Sequence, residues 1–174
     1  MSVRGGAALA DRDDAAHERG ARHGIGIVDH IEDRIVGLKV RDIYEVPAAA
    51  ILLPAHADLE RLVGTIHQNQ LKPILDQRWA YLVYAGLWWE PLRDDLDAYM
   101  ERVNERVTGT IGMKLYKGSA RVVTRESPYA VYDQQLAGFS ESGGLFSQSA
   151  SPGFIELWSL QSRMAWRVRH GDER

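Results

Sequence analysis

Hydrophobic and polar positions change their period along the chain, and each change marks an element. In residues 25–40, Ile25, Ile27 and Ile31 point one way and Val28 and His30 the other, the alternation of a half-buried strand. A second β-rich run from Ile35 to Val40 predicts a hairpin with Glu32-Asp33 near its tip, and Gly37 inside that run predicts a bulge. From Pro47 the period lengthens, which predicts a helix over 47–63 that Pro54 should kink or split. Apolar residues Leu71, Ile74, Leu75, Leu82, Val83 and Leu87 recur at helical spacing between Ile66 and Trp89, with Pro73 and Gly86 blurring the ends. Residues 91–107 form one clean stripe, Leu92, Leu96, Tyr99, Met100, Val103 and Val107, closed by Gly109. Alternation returns over 110–116 and 119–124 around Lys117-Gly118, a hairpin turn signal.

The ends are less regular. Residues 1–6 read as a tail, and 7–21 as a short surface helix closed by Gly20 and Gly24. After Pro128 come a short turn or helix (129–137), a Ser/Gly-rich loop (138–153), a strand (154–158) and a short basic helix (159–169) ending near Gly171. The order of elements is that of an α+β fold: a mixed or antiparallel sheet from two hairpins, packed with several helices.

Composition narrows the function. The 174 residues are 45% apolar and 26% charged, those of a globular chain with its own core. There is no cysteine, so disulfides, thiolate metal sites and cysteine nucleophiles are excluded. With 21 basic and 24 acidic residues the net charge is −3, which gives no electrostatic case for nucleic acid. No apolar run is long enough to span a membrane, and the start lacks a secretory h-region, so the expected setting is cytoplasmic.

Candidate chemistry is sparse. Glu32 with Tyr44 offers a carboxylate for an ammonium and a phenol for a polar group, but an acid at a turn is more often there for solubility. His56 and Glu60 have the i,i+4 spacing of metal ligands, with Asp58 between them, yet one such pair falls short of a site. Ser142-Gly143-Gly144-Leu145 resembles part of a phosphate loop without the strand and helix such a loop needs. Trp79, Trp88, Trp89, Tyr81 and Tyr84 are expected in the core rather than in a binding platform. Arg125-Glu126-Ser127 reads as an ordinary surface pair at a strand end. Arg163, Arg167 and Arg169, with Trp158 and Trp166, read as a subunit-packing tail with a solvated basic side.

Four stretches go further. RHGIGIVDHIEDRIVGLKVRDIYEVPAAAILLPAHADLE (22–60), DQRWAYLVYAGLWWEPL (76–92), RESPYAVYD (125–133) and GFIELWSLQSRMAWRV (153–168) occur in order and together resemble the argininosuccinate synthase family. The resemblance covers the C-terminal part of that enzyme. The family's N-terminal nucleotide domain, with its Ser-Gly-Gly-x-Asp-Thr loop, has no counterpart here. It implies a ligase that activates citrulline with ATP and Mg²⁺ to an adenylate, which aspartate then converts to argininosuccinate, releasing AMP and pyrophosphate. It places citrulline contacts on Glu32 of Glu-Asp-Arg and Tyr44 of Ile-Tyr-Glu. Ile27 stands where the family usually has Arg, and Thr124 where it has Gly before Arg125.

The resemblance further implies a partial synthetase domain over 20–153, preceded by a poorly matching tail or helix (1–19). Residues 154–174 would supply a C-terminal strand and an oligomerisation helix, with 154–169 crossing between subunits of a tetramer. No cofactor, catalytic residue or metal is expected on these residues alone, and they are expected to be inactive by themselves. The alternative is a non-catalytic interaction module derived from the synthase.

Overall fold

The computed structural model describes residues 7–134 and 146–171, with side chains from residue 14 onward. The chain divides into two compact units, residues 1–131 and 132–174.

In the first unit, helix α1 (Ala7–Arg22) leads into strand β1 (Ile27–Asp33) and strand β2 (Lys39–Glu45). Helices α2 (Pro47–Val63), α3 (Ile66–Tyr84) and α4 (Pro91–Asn104) follow, then strands β3 (Thr110–Tyr116) and β4 (Ser119–Glu126). The fold is α+β as expected, but the two hairpins form two separate two-stranded antiparallel sheets rather than one.

Local chemistry explains most boundaries. Pro47 opens α2, where its missing N–H costs nothing. Thr65 caps α3 through a capping box, its hydroxyl accepting from the Gln68 N–H while the Gln68 side chain accepts from the Thr65 N–H. Lys117 and Gly118 both take positive φ, the type of turn that matches strand twist. Pro54 does not split α2. It stands on the exposed side, between the buried Ile51 and Leu59.

Gly20 does not end α1, which runs on to Arg22. Its bare Cα is needed for packing instead, since a Cβ there would lie 2.8 Å from Pro47 Cβ. Gly26, at φ +92°, is more constrained: a Cβ would fall 2.5 Å from Pro47 Cα, and its carbonyl accepts from the Val46 N–H at 2.8 Å. The base of the first hairpin is thereby pinned to the start of α2. The expected bulge at Gly37 is absent, because Gly37 lies in the turn with φ +81°. The irregularity falls instead between Gly112 and Met113, where a Cβ on Gly112 would meet Thr124 Oγ1. Helix α4 stops at Asn104, short of Gly109, whose lack of a side chain lets it sit against the Glu126 carbonyl.

The buried core is Ala16, Ile25, Ile51, Leu59, Leu82, Leu96 and Ile111. Polar ties join the elements around it. Trp79 Nε1 donates to Asp97 Oδ1 at 2.7 Å between α3 and α4, and Arg125 pairs with Asp58 between β4 and α2.

In the second unit, a 3₁₀ turn (Gln148–Ala150) precedes helices α5 (Ser151–Trp158) and α6 (Leu160–His170). The strand expected over 154–158 is therefore helical. Pro152 lies in the first turn, and Phe154 and Trp158, one turn apart, stack at 5.5 Å, so a first-turn proline and an i,i+4 contact override β propensity. Gly171, at φ +71°, ends α6 near the expected point.

Candidate functional site

The strands of the first hairpin are 27–33 and 39–45, not 25–31 and 35–40, so Glu32 lies within β1 rather than at the tip. Ile35, Val36 and Leu38 look like a strand in composition. They form the turn, closed by the Arg34 N–H on the Leu38 carbonyl and the Gly37 N–H on the Arg34 carbonyl, both 2.8 Å.

This register decides the geometry. Cross-strand partners share a face of the sheet. Val28 pairs with Tyr44, His30 with Asp42 and Glu32 with Val40, so Glu32 and Tyr44 stand on one face with His30 and Asp42 between them. The three half-buried residues of the hairpin, Glu32, Val40 and Asp42, all lie on that face. The other face carries Ile27, Ile31 and Ile43, all exposed, with Arg41 bonded through Nε and Nη2 to Asp29 at 2.8 and 2.5 Å. That hydrogen bond holds the Asp29 carboxyl below its ordinary range.

A connected polar cluster covers the Glu32 face. Arg34 bridges Glu32 Oε1 at 3.1 Å and Asp42 Oδ2 at 3.0 Å. The Tyr44 hydroxyl donates to Asp42 Oδ2 at 3.2 Å. From α3, the Tyr84 hydroxyl reaches Glu32 Oε1 at 3.4 Å and the Asp33 carbonyl at 3.3 Å. His30 Nε2 lies 3.4 Å from Glu32 Oε2, and its ring is 5.5 Å from that of Tyr44. Desolvation, the hydrogen bond to Asp42 and the charges of Asp42 and Glu32 push the Tyr44 phenol above its usual value, with Arg34 partly opposing them. Tyr44 is thus a neutral hydroxyl at physiological pH, able to donate. Desolvation works against the charge on Arg34, but Glu32, Tyr84 and Asp42 outweigh it and raise the pKa.

Two carboxylates against one guanidinium leave this surface net negative when His30 is neutral. It suits a ligand ammonium and repels a triphosphate. Among the described residues no group of three or more His, Asp or Glu is placed to hold a metal ion.

The other candidates settle into structural roles. His56 Nε2 and Lys72 Nζ both contact Glu60 Oε1, at 3.2 and 2.9 Å, and Lys72 also reaches Asp76 at 2.8 Å. A lysine thus occupies the carboxylate that a metal would need. Arg125 and Asp58 join two elements, and Ser127 Oγ donates to the Thr108 carbonyl at 2.7 Å. The aromatic group is not core as expected. Trp79 is half-buried, but Tyr81, Tyr84, Trp88 and Trp89 are exposed because they fall outside the face that buries Leu82. Arg93 lies over the Trp88 ring at 4.4 Å. Ser142-Gly143-Gly144-Leu145 lies outside the described residues. A cleft of about 350 Å³ between α2 and β3 is lined mainly by apolar side chains, including Ile51, Leu59, Ile111 and Met113, and none of the hairpin cluster reaches it.

Asp42 and Arg34 were not among the candidates drawn from the sequence, and Tyr84 was considered there only with the aromatic group of α3. The signal for Asp42 was present: from Lys39 to Glu45, Val40, Asp42 and Tyr44 alternate with Lys39, Arg41 and Ile43, and a strand set there puts Asp42 beside Tyr44.

The first hairpin thus presents a net-negative face on a helical α+β scaffold. Comparison with known proteins is more specific. The profile of the arginosuccinate synthase C-terminal domain matches residues 9–165. The chain is 45% identical over 155 residues to the argininosuccinate synthase of Pyrococcus furiosus, covering 89% of this chain and 38% of that protein. Identity is 50% over 151 residues to that of Pyrobaculum aerophilum, covering 86% and 38%, and 44% over 156 residues to that of Thermosynechococcus vestitus, covering 89% and 39%. The chain belongs to the argininosuccinate synthase family, in its C-terminal domain. It spans under two fifths of the length of these relatives.

Proposed function

We propose that this chain supplies the citrulline-gripping part of an argininosuccinate synthase, the ligase that joins citrulline and aspartate with ATP. Glu32 pairs the citrulline ammonium, and the Tyr44 hydroxyl hydrogen-bonds a polar end of the same molecule. The observation that carries this reading is the register, which sets Glu32 and Tyr44 on one face of one hairpin with a net-negative surface between them. ATP with Mg²⁺ belongs to the remaining length of the family enzyme, and these residues carry no catalytic group of their own. Residues 20–153 act as the partial synthetase domain behind the lead-in of 1–19. Residues 154–174 act as an oligomerisation segment, with 154–169 building a homotetramer. The setting is cytoplasmic; among the described residues no helix is long and apolar enough to cross a membrane.

The test is a titration of L-citrulline into the 174-residue polypeptide, followed by complementation with a separately expressed nucleotide-binding half of a family member. The polypeptide alone gives no citrulline- and aspartate-dependent AMP, and the mixture does. In the mixture Glu32→Ala weakens citrulline about tenfold, the scale of one hydrogen bond to a charged group, and leaves ATP binding in place. Equal loss of both ligands removes Glu32 from this role.

One observation favours a second reading, a non-catalytic assembly module. Phe154, Ile155, Leu157 and Trp158 on α5 are all more than 60% exposed, an apolar surface suited to a partner chain. A stable oligomer together with no AMP formation in the complemented mixture selects it.

A further inference from the structure

Both carboxylate oxygens of Glu32 are engaged before a ligand arrives. Oε1 receives Arg34 at 3.1 Å and the Tyr84 hydroxyl at 3.4 Å, and Oε2 faces His30 Nε2 at 3.4 Å. An incoming ammonium shares the carboxylate with these groups, so any positive charge among them competes with it. Arg34 keeps its charge at any working pH and is held a second time by Asp42. Tyr84 is uncharged and has the Asp33 carbonyl as a second acceptor. His30 alone of the three is a side-chain type whose charge changes near neutrality. It sits on the ladder between the two proposed ligand contacts, 41% exposed against 20% for Glu32, so solvent and ligand both reach the pair. The groups around it are Glu32 on its own strand, Asp42 and Tyr44 on β2, Arg34 in the turn and Tyr84 from α3, with Asp29 adjacent on the opposite face.

We propose that His30 sets the availability of Glu32: as an imidazolium it offsets the Glu32 charge and repels a ligand ammonium, and as a neutral imidazole it leaves that charge to the ligand, its ring standing as a wall beside Tyr44. The proposal rests on the reading of Glu32 and Tyr44 as amino-acid contacts, and adds the residue that makes their surface answer to pH. Binding of an ammonium and protonation of His30 then oppose each other. Affinity rises with pH, and ligand binding to the protonated form expels a proton.

The test uses the full chain, with the Glu32 carboxyl carbon and the His30 ring protons followed by NMR from pH 5.5 to 8, and L-citrulline titrated at both ends of that range. In the native chain the Glu32 carbon shows a step that tracks the His30 ring, and His30→Leu removes it. Citrulline affinity rises about threefold from pH 5.5 to 8, the size of a partly exposed ion pair, and is flat in His30→Leu and in the polar variant His30→Gln. A carbon step that survives His30→Leu, or citrulline binding with the same pH profile in all three chains, overturns the role of His30 while leaving the site reading intact. No citrulline binding in any chain at either pH overturns the site reading, and the role of His30 with it.

Discussion

The two hairpins share a length and an antiparallel ladder and differ in nearly everything else. β3–β4 closes through a two-residue turn, buries Ile111 against α2 and is tied to that helix by Arg125 and Asp58. β1–β2 closes through a five-residue turn and buries no residue of either strand. Its attachments are few: Gly26 against Pro47 at the base, and Tyr84 of α3 against Glu32 and Asp33 near the turn. A strand whose side chains fill a core is not free to bind anything. One face of the first hairpin carries five linked polar groups, His30, Glu32, Arg34, Asp42 and Tyr44, joined by Tyr84 from α3. The second hairpin is scaffold; the first is what the scaffold presents.

The contrast can be broken in measurable ways. Ile111→Ala should cost about 2–5 kcal/mol in urea unfolding, as a large-to-small change in a packed core, whereas Ile31→Ala on the first hairpin should stay within about 0.5 kcal/mol. Comparable losses would erase the division into scaffold and presented element. Gly26→Ala should cost upwards of about 2 kcal/mol, since it combines a left-handed backbone with overlap against Pro47. Gly37→Ala shares the positive φ but has open space around it, and should cost about 1 kcal/mol. A smaller effect concerns acid. Burial pushes the Glu60 carboxyl up, but hydrogen bonds from His56 and Lys72 and their charges outweigh it and leave the pKa lowered. That contribution to stability is complete above the ordinary glutamate value of about 4.3 and is lost as pH falls through the lower folded value. Glu60→Gln should therefore flatten part of the stability profile below about pH 4.3, read as urea midpoints at successive pH values. An unchanged profile would remove the α2–α3 ion pair from the account.

The elements that punctuation defines were legible from the sequence. Pro47 begins α2 and Lys117-Gly118 turns β3 into β4, because each residue imposes a backbone conformation whatever surrounds it. Elements read from apolar content alone were misplaced. Ile35, Val36 and Leu38 have strand-forming side chains but lie in the turn around Gly37, and Phe154–Trp158 is helical because Pro152 and a one-turn aromatic stack act locally. The Glu32–Tyr44 pair could be named from residue type, but only the resemblance favoured it over a solvated turn. Spacing could not join Glu32 to Tyr44, twelve residues apart, without the strand register, and Tyr84 arrives from a helix more than fifty residues away.

The most direct test of the central claim is a backbone amide NMR map of the chain under L-citrulline titration. The account predicts shifts concentrated on Val28 to Tyr44 and around Tyr84, with Thr110 to Glu126 unmoved, and their loss in Glu32→Ala. Shifts centred on β3–β4 or on the apolar cleft behind it, or shifts on β1–β2 that persist in Glu32→Ala, would contradict it.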